Sequence, residues 1–280
     1  MSVEFFDVPG ADVTTAWAIS PSGDVVGTGV SGPPSATVLH GYQRDKSGKV
    51  TAFDVTTEGE FAKNCTSVRG ISPSGEIVGF FQTLTCGGPQ PEIRKGARGF
   101  VRTKNGNLEV IDVPFPGTLG TIVVGINPAG DLVGSYLDAD NKTHGFLRQG
   151  GSITKIDVTG AKLTACRGIN AKGEIVGRFD SHGFLRKVDG TVETIDFPGA
   201  TSTVVAAINP QGDIVGRFVM DGVTHGFLRK KDGQPVMLDV VSGATDTEPA
   251  GITQAGEIVG WVTFTEGGAS KTRGFLQTTH

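Results

Sequence analysis

Glu248, Arg167 and Arg69 are the residues of this chain whose types and positions best suit a reaction. A guanidinium stabilises negative charge developing on a carbonyl, phosphoryl or sulfuryl oxygen, and a carboxyl group moves a proton. Together they serve hydrolysis or elimination without a nucleotide cofactor. Each replaces a small or apolar residue of related segments. Just before a recurring Gly-Ile or Ala-Ile step the chain reads Trp17, Arg69, Val124, Arg167, Ala206 and Ala250. Two positions earlier, on the same face by strand alternation, it reads Thr15, Ser67, Ile122, Ala165, Val204 and Glu248. Glu248 is expected to act as general acid or base, Arg69 and Arg167 to bind an anionic or carbonyl oxygen, and Trp17 to pack on the ligand. The alternative stays open that the two arginines bond carbonyls of a neighbouring segment. Arg178, Arg217, Tyr136 and Trp261 follow Val-Gly steps directly or by two residues. They are candidates for the flank of the same pocket, or for solvent-facing positions.

The elements that must hold these residues are repeats. One phrase recurs along the chain, clearest from Ile111-Asp112-Val113 through Gly125-Ile126-Asn127 and Gly130-Asp131-Leu132-Val133-Gly134 to His144-Gly145-Phe146-Leu147-Arg148. Five further copies keep the order. Each holds four short β-like runs between Gly, Pro, Asn and Asp turns, in the third copy near 121–127, 131–137, 143–148 and 152–158. Gly supplies 43 of the 280 residues, about twice the usual share, which favours turn-rich β structure over helices. The sixth copy stops after Gly274-Phe275-Leu276-Gln277, while Val3-Glu4-Phe5-Phe6-Asp7-Val8 stands as an orphan fourth strand. The expectation is an all-β, six-bladed β-propeller of four-stranded blades, one domain over 1–280, its ring closed by the N-terminal strand completing the C-terminal blade.

This wording resembles the HAF-family extracellular repeat: "Gly-Ile-Asn", "Gly-Asp-Ile-Val-Gly" and "His-Gly-Phe-Leu" recur jointly across essentially the whole chain. The resemblance implies an exported bacterial protein and brings no catalytic motif. Arg98 and Arg273 stand at the His position and Tyr42 at the Phe position, so a His-dependent function could not use all six copies.

Four histidines, His40, His144, His182 and His225, share one register and invite a metal-ring reading. Each of these histidines, and Arg98 at the same register, is followed 13 or 14 residues later by an Asp, with a Gly-rich turn midway, which places the two opposite each other in a hairpin. A cross-strand His-Asp or Arg-Asp bond also explains why Arg can replace His, with Arg273 pairing to Asp7. The acids after the turn glycines, such as Asp131 and Glu174, read as turn residues. Asp138-Ala139-Asp140-Asn141 opens like a calcium loop but lacks its glycine and distal glutamate. Cys65 and Cys86 are placed to form a disulfide, and Cys166 reads as a buried thiol. Links between second and third strands are long at 29–39, 82–97 and 263–272 and short at Asp180-Ser181, so the rim should be tall over copies 6, 1 and 2 and open over copy 4. Asn64 and Asn141 begin glycosylation sequons.

The charges, 25 basic and 29 acidic, are interspersed, which argues against a nucleic-acid or anionic-membrane partner. No apolar run suits a membrane span, and no leader precedes the first strand. No phosphate loop, HExxH helix, CxxC pair or GxSxG elbow occurs. The expected function is processing of a small molecule or carbohydrate at one central-channel site by hydrolase- or lyase-type chemistry on an ester, phosphoester or glycoside. The alternative is a non-catalytic propeller that holds a glycan or protein on its rim loops. No cofactor is expected, although a divalent metal in the channel through Glu248 and backbone carbonyls stays open. A monomer is expected, extracellular or periplasmic by the resemblance, with a cytoplasmic location open for want of a signal peptide.

Overall fold

The computed structural model describes residues 2–33, 36–56, 65–82, 86 and 95–278. Its regular elements are all β-strands. β1 (Ser2–Phe6) precedes unit 1, made of β2 (Val13–Ile19), β3 (Val25–Ser31), β4 (Val38–Arg44) and β5 (Val50–Phe53). Unit 2 has β6 (Thr66–Ile71), β7 (Ile77–Gln82), β8 (Ala97–Arg102) and β9 (Leu108–Ile111). Unit 3 follows with β10 (Gly120–Ile126), β11 (Leu132–Leu137), β12 (Thr143–Gln149) and β13 (Ser152–Ile156). Unit 4 is β14 (Thr164–Ile169), β15 (Ile175–Phe179), β16 (His182–Arg186) and β17 (Val192–Ile195). Unit 5 is β18 (Ser202–Ile208), β19 (Ile214–Met220), β20 (Val223–Arg229) and β21 (Pro235–Met237). Unit 6 supplies β22 (Asp246–Ile252), β23 (Ile258–Glu266) and β24 (Ala269–Thr278), and β1 pairs antiparallel along β24, from Ser2 opposite Thr278 to Phe6 opposite Gly274.

Units 2, 3 and 4 are separate four-stranded antiparallel sheets. Units 1, 5 and 6 run into one twelve-stranded sheet, joined by single parallel residue pairs, Val13 with Thr272 and Thr224 with Asp246. The apolar clusters lie between neighbouring units, because strands that alternate in and out bury both faces when sheets stack. Val78 and Val101 of unit 2 pack with Val123 and Phe146 of unit 3, Val215 of unit 5 packs with Ile252 and Phe275 of unit 6, and Val259 of unit 6 packs with Ala16 and Tyr42 of unit 1.

The Val-Gly step of each second strand has a steric cause. A Cβ on Gly134 would lie 2.0 Å from the Ile122 carbonyl oxygen and 2.9 Å from the Phe146 ring, so only glycine admits the fully buried aromatic of the third strand. Across the strand pair the register shifts in all six first strands, and the residue skipped is Trp17, Arg69, Val124, Arg167, Ala206 or Ala250. Such a bulge re-aims the side chain of the extra residue.

All six cross-strand polar pairs form. His40, His144, His182 and His225 bond Asp54, Asp157, Asp196 and Asp239 at 2.8–2.9 Å, and Arg98 and Arg273 bond Asp112 and Asp7 at 2.7 and 2.9 Å. His144 also bonds Asp138 at 2.9 Å through Nε2, and the Asp138 Oδ1 accepts the amides of Asp140 and Lys142. The segment that opens like a calcium loop is therefore a hydrogen-bonded turn. Among the described residues no cluster of three or more His, Cys, Asp or Glu is arranged to hold a metal ion.

Candidate functional site

A cavity of about 730 Å³ opens where first and second strands of the units converge. The residue directly after each Val-Gly step faces it, together with its register partner on the first strand. The six pairs are Thr15 with Thr28, Ser67 with Phe80, Ile122 with Ser135, Ala165 with Arg178, Val204 with Arg217 and Glu248 with Trp261. The bulge residues Trp17, Arg69, Val124 and Arg167 extend the lining, and they also line a smaller cavity of about 90 Å³ farther along, where Ala206 and Ala250 join them.

Seven of the eight candidate residues thus share one cavity: Glu248, Arg167, Arg69, Trp17, Arg178, Arg217 and Trp261. Tyr136 is placed elsewhere. It stands two residues after Gly134, so alternation turns it to the opposite face, where it stacks on His144 and packs against Phe115 with ring centroids 5.1 Å apart in both cases. Ser135 takes its place in the lining.

The geometry changes the roles expected of several of these groups. Arg69 lies over Trp17 with its guanidinium carbon 3.6 Å from the ring centroid, and Trp261 meets Trp17 at 4.5 Å. Trp17, half-buried, thus packs on protein neighbours, and its indole N–H donates to Thr15 Oγ1. The cation–π stack fixes the Arg69 head by electrostatic attraction to the ring. Arg217 forms an ion pair with Glu248, reaching across from β19 to β22. Arg178 donates to the backbone carbonyl of Asp180 at 2.9 Å, within the short link that also lines the cavity. Four guanidiniums and two carboxylates, Asp180 and Glu248, give the lining an excess of positive charge.

One further residue, not among the sequence candidates, stands beside the lining. Asp246 precedes Glu248 by two positions on β22, and its register partner across the parallel pair, Thr224, lines the cavity. Its Oδ1 is buried without a hydrogen-bond partner. Burial, and then the Glu248 carboxylate beside it, push its acid up to about 7. Comparing the repeats one alternate position earlier would have exposed it, since the counterparts are Val13, Cys65, Gly120, Leu163 and Ser202.

The rim differs in part from expectation. Residues 263–272 are a hairpin rather than a loop: β23 and β24 stay paired to Glu266 opposite Ala269, turning at Gly267-Gly268 with φ of 60° and 82°. Near unit 1, Thr37 and Leu39 line the cavity, while 34–35 lie outside the described residues, as do 83–85, 87–94 and Asn64. Cys65 and Cys86 form a disulfide with Cα atoms 5.3 Å apart. Cys166 is fully buried and burial pushes its thiol up to about 12, which leaves it un-ionised at neutral pH.

No family model matches the sequence, and no curated protein is similar to it. Solved structures do resemble the fold. A streptogramin B lyase superposes with a TM-score of 0.53 at 16% identity, over 99% of this chain and 98% of that one. A putative TolB from Agrobacterium tumefaciens gives 0.61 at 14% identity, covering 98% and 93%. A luciferin-regenerating enzyme gives 0.56 at 11% identity, covering 99% and 95%. These are β-propeller proteins, and the chain has a fold of β-propeller type. At such identities the likeness concerns the fold alone.

Proposed function

We propose that the chain is a six-bladed propeller that processes an anionic small molecule or carbohydrate at one central-channel site by hydrolase- or lyase-type chemistry. The observation that carries this reading is the cavity itself. Its lining positions repeat in every unit, yet the side chains differ, with four arginines, Arg69, Arg167, Arg178 and Arg217, against two carboxylates, Asp180 and Glu248. Shared residues account for the scaffold, so blade-specific charges at scaffold positions point to a ligand. Arg167 and Arg69 would hold the anionic oxygen, and Glu248, ion-paired with Arg217, would take the proton.

The blade count is supported by the six four-stranded pairings, and ring closure by β1 on β24 and by the cluster of Val259 with Ala16 and Tyr42. The whole chain, 1–280, then reads as one domain. Location outside the cytoplasm fits the Cys65–Cys86 disulfide and the HAF-type wording. A monomer acting without nucleic acid, membrane or organic cofactor is the simplest form of the reading.

The test is a fluorogenic panel of esters, phosphoesters, sulfate esters and glycosides, run with wild type and the Arg167→Ala, Glu248→Gln double variant. Turnover that collapses in a folded variant supports the site. Equal turnover in both proteins overturns it, and no turnover across the panel transfers the case to a non-catalytic binder of glycans or proteins.

A further inference from the structure

β22 carries two carboxyl groups at alternate positions, Asp246 and Glu248, so both face the same side of the strand. Arg217, from β19 of the preceding unit, forms its ion pair with Glu248. Asp246 Oδ1 is left buried with no donor. A second negative charge there would be poorly solvated and would stand beside the first, with one guanidinium between them. The groups in register with Asp246 from the neighbouring strands are Thr263 on β23 and Thr224 on β20, and neither titrates. The charges acting on Asp246 are Glu248 and Arg217.

We propose that Asp246 and Glu248 form an acid–base couple that keeps one proton at neutral pH, on the Asp246 side, with Glu248 ionised against Arg217 and facing the cavity. Asp246 is a positioning residue that acts through Glu248. It limits the pair to one negative charge and, by holding the resident proton itself, leaves the Glu248 carboxylate free to take one from a ligand. The upward shift of the Asp246 acid agrees with this charge count. The inference rests on the channel reading of the site and names the proton inventory of its wall.

The experiment is an NMR titration of protein labelled with 13C at the aspartate carboxyl carbons, in wild type, Asp246→Asn and Glu248→Gln. One resonance should titrate within a unit or so of neutrality, vanish in Asp246→Asn, and move down by about a unit or more in Glu248→Gln, where the like charge is gone. Should Asp246→Asn fail to fold, the displaced resonance in Glu248→Gln supplies the assignment. An Asp246 carboxyl that titrates wholly below about pH 5, or that ignores Glu248→Gln, overturns the couple. The titration needs no substrate, so a silent hydrolysis panel would sink the functional reading and leave the couple standing, and the reverse outcome would do the opposite.

Discussion

Arg273 meets Asp7 at 2.9 Å, although 266 positions separate them in sequence. The bond repeats at the two ends of the chain what the other units achieve within one hairpin. Both partners are substantially exposed, at 35% and 53%, so Arg273→Ala should cost less than about 1 kcal/mol. Phe6 is buried beside Tyr42 and fills the space over Gly274, so Phe6→Ala should cost about 3 kcal/mol or more. Urea unfolding of the two variants measures the contrast, and equal losses would mean that the ion pair rather than the strand joins the ends.

The histidines should differ among themselves. His144 is 4% exposed and bonds two carboxylates, whereas the His182 side chain is 47% exposed and bonds one. His144→Ala should therefore lose about 2–3 kcal/mol and His182→Ala less than about 1 kcal/mol. Melting curves with ligand-binding or turnover measured alongside would check this, and loss of function at an unchanged melting temperature would contradict a structural role.

Gly134→Ala should be among the most damaging single changes, costing about 3 kcal/mol or more, since the new methyl would meet a backbone oxygen at 2.0 Å. Gly130→Ala meets open space and bears only the strain of φ +81°, about 1 kcal/mol. Denaturant midpoints of the two variants should separate accordingly.

Cys86→Ser should remove about 3 kcal/mol, the loop-closure entropy of a crosslink spanning 21 residues. Reducing agent should lower the melting temperature of wild type toward that of the variant and leave the variant unmoved.

Asp246 gives the stability a pH dependence of known sign. Its acid lies near 7 in the fold and at the ordinary 3.8 when unfolded, so between those values the folded state holds the extra proton. Its contribution is present below about pH 4 and is lost as pH rises through 7. Asp246→Asn lacks this slope, and its melting temperature should gain on wild type from pH 5 to pH 8. A gap that is constant or that closes would contradict the assignment.

Much of this is legible in the sequence because the repeats share a register. The 13- or 14-residue spacing locates five of the six His-Asp and Arg-Asp pairs, the orphan N-terminal strand supplies the Asp7 partner of Arg273, and departures from the repeat at Trp17, Arg69, Arg167 and Glu248 locate the cavity wall. What stays hidden depends on backbone detail that composition does not encode. The bulge at Trp17, Arg69 and Arg167 is one example, and the covering of Trp17 by Arg69 and Trp261 another. Tyr136 differs from the expectation by one step of alternation, which is enough to turn it away from the cavity. Thr14, Thr66, Thr121, Thr164 and Thr203 look like ordinary strand residues, yet each hydroxyl accepts the amide just after a pairing Asp. In unit 6 the matching Thr247 hydroxyl is buried without such a partner, so that unit departs from the others in its backbone as well as in its acids.

The turn residues Asn127, Asn170 and Asn209 fasten their own turns through Oδ1, accepting the amides of Asp131, Glu174 and Asp213. Their Nδ2 groups donate onward to the carbonyls of Asn170, Asn209 and Thr253. Ser20 and Ser72 are too short to reach a neighbour and bond within their own turns. Units 3 to 6 are thus laced by one relay of turn side chains that stops short of units 1 and 2, which are tied differently: to each other by the Thr28–Ser67 hydroxyl contact, and outward by the Val13–Thr272 strand pair with the Arg44–Glu4 ion pair and by Arg148–Glu109. The relay runs through the units that carry Arg167, Arg178, Arg217 and Glu248, so the turns at the far end of four cavity-lining units are fastened to one another, while the unit of Arg69 lies outside that chain of bonds.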